Sequence, residues 1–161
     1  MELIDARRYV ELEYIPVRST NEAVEQFRRY QDDLEVEYMD GILYSMTSGV
    51  IMIGRLTDGH DAPMNRRVQS FDKATDPWLY MHAEDILKRV QGEKTTHKEL
   101  VPVQSYLFRY DRGVFWSGLR AFKYFVTPFN RLTRFLLDPF MYSRTMAVSY
   151  THLTLPTILR V

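Results

Sequence analysis

Between Val101 and Trp116 the sequence reads VPVQSYLFRYDRGVFW, which sets five aromatic rings and two arginines around one carboxylate, Asp111. These residue types can hold a planar or anionic partner. A guanidinium stacks on rings, is drawn to their π-faces and donates forked hydrogen bonds that an ammonium cannot reproduce. The same residues also suit a plainer arrangement, a solvated Arg–Asp pair on an aromatic-rich helix that docks on the core. On the residues alone both readings stay open. Other reactive groups are sparse. His60-Asp61 has no second ligand pair at helical spacing, so no metal site is expected there. His82 lies close to an apolar helix face, where a packed histidine is the commoner role, and no base partner can be assigned to it. None of the 161 residues is Cys, which excludes disulfides, thiolate metal sites and thiol nucleophiles.

The elements that must position this stretch follow from periodicity. Tyr9–Val17 alternates as a strand, with Val10, Leu12 and Tyr14 on one face. Ser19 and Glu22 stand at capping-box spacing, and Ala23, Val24, Phe27 and Tyr30 then share a helical face running to about Asp32. Val36–Met46 and Val50–Leu56 are β-rich and predict a hairpin across a three-residue loop, Thr47-Ser48-Gly49. The order βαββ predicts an α+β fold, of which the ferredoxin-like plait is the commonest relative. Thr57–Lys73 reads as a surface loop. Asp76-Pro77 reads as the start of a helix whose apolar face is Leu79, Ala83, Ile86, Leu87 and Val90. Glu93–Glu99 reads as a charged linker.

The bulk numbers describe a chain that folds, at 45% hydrophobic and 14% aromatic residues, with length enough for one domain. No run of about 18 apolar residues suggests a membrane span, and no leader pattern precedes a cleavage site. The net charge of zero conceals a split: 13 Lys/Arg against 19 Asp/Glu over residues 1–102, then 7 against 2 over residues 103–147. Such a split lets the two parts attract each other, or gives the basic part an anionic partner. Beyond Trp116, aromatic residues alternate with Arg120, Lys123, Arg131, Arg134 and Arg144 in a pattern also met at membrane surfaces, although Pro128 and Pro139 divide it into short helices. Rings and arginines also suit single-stranded nucleic acid, but no recognised motif accompanies them, so no nucleic acid partner is expected.

Several of these segments together resemble the Delta(24)-sterol reductase family, the seladin/Diminuto group of FAD-linked oxidoreductases, over most of residues 2–146. Ala6–Arg18 is similar to the family segment that leaves the flavin lobe and opens the substrate lobe. Met39–Asp58 resembles its hairpin, with Gly41, Leu43, Tyr44, Ser45, Val50, Met52, Gly54 and Thr57-Asp58 in matching places. Pro102, Tyr106, Arg109, Arg112, Phe115 and Trp116 keep the family spacing, and Pro128-Phe129-Asn130 and Arg134-Phe135-Leu136 resemble its next element. Where the family pattern carries histidines on both sides of the first arginine, this chain has Phe108 and Tyr110, so any role of those histidines does not carry over.

The resemblance implies a part of a substrate lobe. Residues 1–8 would close the FAD-binding lobe, 9–100 form an α+β core and 101–147 a basic aromatic helical segment. It implies FAD, bound mainly by a lobe that is missing here, NADPH as donor, and a sterol whose side-chain double bond is reduced. Arg109 and Arg112 are then cofactor-binding candidates; Tyr106, Phe108 and Trp116 wall the sterol; Tyr106 or Tyr110 supplies the proton. The full-length parent is expected to be associated with the endoplasmic reticulum membrane, and this piece to be inactive alone, with Met1 an internal residue. Val148–Val161, VSYTHLTLPTILRV, resembles translated sequencing-adapter DNA and is expected to be a non-native tail. The alternative to all of this is a stand-alone α+β interaction module that binds a membrane surface or an acidic partner.

Overall fold

The computed structural model describes residues 7–59, 67–90, 96–113 and 117–142. His60-Asp61, Trp116 and the Val148–Val161 tail lie outside the described residues. The chain forms two compact units, one of Met1–Ser70 with Tyr80–Tyr106 and one of Phe71–Leu79 with Leu107–Val161.

The first, the sheet unit, is built on four antiparallel strands: β1 Tyr9–Val17, β2 Tyr38–Ser45, β3 Ser48–Thr57 and β4 His97–Pro102, in the order β2-β3-β1-β4. The alternation in β1 decides which side chains meet which helix. Ile15 and Val17 join Ile51 and Ile53 of β3 and Ala23 of helix α1 (Thr20–Tyr30), with Phe27, Tyr30 and Val36 packed against them. Val10, Leu12 and Tyr14 are buried on the other face. There the ring of His82, in helix α2 (Leu79–Val90), stands edge-on to Tyr14. The α+β class is therefore as the sequence implied, but the helices cover both faces of the sheet, whereas a plait carries both on one.

Local chemistry explains the element ends. Ser19 caps α1 by accepting the Glu22 N–H at 3.1 Å, while the Glu22 carboxylate reaches back to the Arg18 N–H at 2.6 Å. The hairpin is tighter than the three-residue loop expected: β2 ends at Ser45 and β3 begins at Ser48, with a bulge between Leu43 and Ser45. Gly49 lies inside β3 rather than in the turn, where a Cβ would come within 2.5 Å of Leu43. On the α1 side, Arg55 pairs with Glu13 and Asp33, and Lys98 with Glu11 and Glu13.

Two stretches expected to be irregular are part of the sheet. Residues 97–99 of the anticipated linker belong to β4, whose register sets Glu99 opposite Leu12 and His97 opposite Tyr14. Arg67–Gln69, expected to be surface loop, runs along the outer edge of β4: Gln69 N–H donates to Leu100 O at 2.8 Å and Leu100 N–H to Arg67 O at 3.2 Å. An edge strand covered in this way no longer presents a free ladder to other chains. Asp76 does not cap α2, which begins at Leu79; its carboxylate closes a turn by accepting the Lys73 N–H.

In the second, the helical unit, Trp78 is buried against Phe122 and Phe129, with ring centroids 6.2 and 5.5 Å away. After the short α3 (Val103–Leu107), which ends the sheet unit, come α4 (Ser117–Tyr124), α5 (Arg131–Leu137) and a 3-10 turn, Asp138–Phe140. Gly113 turns the chain beside Trp78 at φ +74°, and a Cβ there would sit 2.6 Å from the indole.

Candidate functional site

The arginine–aromatic stretch divides at Tyr106. Tyr106 belongs to the sheet unit, is 1% exposed and leans on Tyr38 with ring centroids 4.9 Å apart. The residues after it belong to the helical unit. Phe108 is 61% exposed. The Arg109 guanidinium lies 4.6 Å from the centre of the Tyr110 ring, within cation–π range.

Arg112 is the more enclosed of the two candidate arginines, at 2% exposure. Its Nε donates to Asp138 Oδ1 at 3.0 Å and Nη2 to the same oxygen; Nη1 donates to Phe71 O and Asp76 O, and Nη2 also to Ala74 O. Five bonds match the five N–H groups of a guanidinium. The arginine thus ties 71–76 to the 3-10 turn, and the carboxylate that neutralises it is Asp138 rather than the neighbouring Asp111. Arg134 sits close by, donating from Nη2 to Asp76 O at 2.6 Å and lying over the Trp78 ring. Burial, and then the charge of Arg112, hold its pKa below the ordinary arginine value.

The sheet unit contains a polar cluster that sequence reasoning missed. Glu99 is 0% exposed on the α2 face. Its Oε1 accepts the Tyr14 hydroxyl at 2.6 Å and His82 Nε2 at 2.9 Å, and His97 Nε2 lies 3.7 Å from Oε2. Burial pushes the carboxyl up, but the hydrogen bonds from His82, the nearby His97 ring, the His82 charge and the Tyr14 hydroxyl more than reverse this and leave it at about 2. Tyr14 moves the opposite way, raised well above its ordinary value by burial and then by the Glu99 charge. A visible signal existed: His97 and Glu99 share one face of a strand at i, i+2, and His82 was already on the apolar side of its helix. What the sequence did not contain was a reason to call HKE a strand.

Among the described residues no group of three His, Cys, Asp or Glu side chains is placed to hold a metal, and no helix is long and apolar enough to cross a membrane. The architecture is that of an α+β unit with a buried His–Glu–Tyr cluster, joined to a small helical unit organised by arginine and tryptophan.

No family model and no solved structure matches the chain. It is 33% identical to the Delta(24)-sterol reductase of Mus musculus over 117 residues, which cover 73% of this chain and 21% of that protein. It is 29% identical to the Homo sapiens enzyme of the same name over the same length. The Caenorhabditis elegans Delta(24)-sterol reductase homolog is 26% identical over 167 residues, covering 99% of this chain and 29% of the relative. The chain belongs to the Delta(24)-sterol reductase family, and it spans between a fifth and a third of the length of these relatives.

Proposed function

We propose that this chain is the substrate-lobe part of an FAD-dependent reductase that uses NADPH to saturate a double bond in a sterol side chain. The observation that carries the reading is the 33% identity to mouse Delta(24)-sterol reductase. Among the described residues the glycines stand singly in strands, turns and α4, with no run able to cradle phosphates, so the flavin is assigned to the remainder of such a protein. The parent is placed at the endoplasmic reticulum membrane.

A flavin ring fits Arg109 better than Arg112. Every N–H of Arg112 already meets a protein oxygen, which makes it a positioning residue that holds the stretch from behind. Arg109 is a part-exposed planar cation beside a ring, suited to orienting an anionic heterocycle. When bound, the flavin supplies the hydride that it has received from NADPH. Phe108 and Trp116 are assigned to the apolar wall of the sterol pocket. Tyr110, partly exposed, is assigned the proton for the second carbon. Tyr106, 1% exposed and packed against Tyr38, is a core residue of the sheet unit.

The apolar face of α5 supports the same reading. Leu132, Phe135, Leu136 and Phe140 recur at helical spacing and all are exposed, a face of the kind that docks on further protein. The test is a chimera in which residues 7–142 replace the matching stretch of the mouse enzyme, assayed for NADPH-dependent reduction of the sterol side chain. Turnover is expected, and Arg109→Met should lower kcat by about tenfold or more in a protein that still folds and takes up flavin. A chimera that folds and takes up flavin yet reduces no sterol would overturn the reading.

A further inference from the structure

The turn that ends α4 is built with an ill-suited residue. Val126 N–H donates to Lys123 O at 3.2 Å and Thr127 N–H to Phe122 O at 2.9 Å, the paired bonds of a Schellman motif. The left-handed position of that motif is Val126, at φ +52°. Glycine normally stands there, and a β-branched side chain is among the least tolerated. What the turn displays is equally uncommon, since Tyr124, Phe125 and Val126 are 82%, 72% and 88% exposed. The Tyr124 and Phe125 rings meet edge to face, 5.1 Å between centroids, so the tip is one apolar body.

The charges that flank the tip in sequence are mostly basic. Residues 117–142 carry Arg120, Lys123, Arg131 and Arg134 against a single acid, Asp138, which is buried on Arg112. Lys123 adjoins the tip and is exposed, as is Arg131 at the start of α5.

We propose that this tip is a membrane-contact site, at which Tyr124, Phe125 and Val126 enter the acyl boundary of a bilayer leaflet and Lys123 and Arg131 meet its anionic headgroups. A fluid apolar phase can enclose three exposed side chains on one turn without a shape-matched surface. Aromatic side chains with a polar end, such as Tyr124, suit that boundary, and exposed cations beside them select anionic lipid. The inference goes beyond the proposed reduction and does not rest on it.

The test is sedimentation of the full chain with vesicles of phosphatidylcholine alone and of phosphatidylcholine with phosphatidylserine, at low and high salt. Binding is expected only to the anionic vesicles and should weaken as salt rises. Phe125→Ser should lower the partition coefficient about tenfold and Lys123→Glu about fivefold or more. Val126→Gly keeps the turn, because glycine suits its backbone angles, and should still bind less tightly while folding at least as well. Failure to bind the anionic vesicles, or binding that all three variants retain in full, would overturn the proposal. So would self-association in solution that Phe125→Ser abolishes, because the tip would then be an interface between copies of this chain.

Discussion

A carboxylate as deeply buried as Glu99 is costly unless each of its oxygens is answered, and here two imidazoles and a phenol answer them. The pKa displacement gives the sign of a pH dependence. The folded carboxyl titrates at about 2 against an ordinary 4.5, so the stability it contributes is complete above 4.5 and is lost as pH falls from there toward 2. Thermal melts followed by circular dichroism should show Tm falling across that window, and Glu99→Gln should flatten this part of the profile. At neutral pH, Tyr14→Phe should cost about 1.5–3 kcal/mol in denaturant unfolding, the range for a hydrogen bond to a charged acceptor. None of this was legible from the residues singly. Glu99 stands 85 positions from Tyr14 and 17 from His82, and a charged tripeptide reads as linker until its distant partners are known. The arginines became candidates through the family resemblance of their stretch, but the enclosure of Arg112 was not legible, because the carboxylate that captures it lies 26 residues further on.

Elements were legible to the extent that their determinants are local. The cap of α1, the alternation of β1 and the hairpin are encoded within a few residues, and they stand within a residue or two of where they were expected, the loop of the hairpin excepted. The edge segment Arg67–Gln69 and the strand His97–Pro102 specify each other through backbone bonds that leave no trace in side-chain pattern. Glycine positions give a sharp test of packing between elements. Gly113 combines a left-handed backbone with direct apposition to the Trp78 indole, so Gly113→Ala meets both a conformational and a steric penalty. It should destabilise the chain by about 2–4 kcal/mol and reduce the near-ultraviolet circular dichroism of the buried indole, with the sheet signal in the far ultraviolet retained.

Across the whole chain, the charge split of the sequence is not answered by the ion pairs of the sheet unit, since Glu11, Glu13 and Asp33 pair there with Lys98 and Arg55, acids and bases of the same acidic stretch. The two units are not consecutive in sequence: Phe71–Leu79 leaves the sheet unit to supply Trp78 and three of the carbonyls that surround Arg112. A fragment of residues 107–161 therefore lacks the centre of its own core, and it should show no cooperative melt when expressed alone; a cooperative transition in that fragment would contradict the description of the helical unit. The threading also sets an order in time. A chain made from its N-terminus can complete the four-stranded sheet once Pro102 has left the ribosome, but Trp78, synthesised earlier, has no Phe122 or Phe129 to receive it until some fifty residues later. Between Pro102 and those two rings lie 20 and 27 residues of synthesis, during which the sheet can be complete while the indole still lacks the partners that enclose it.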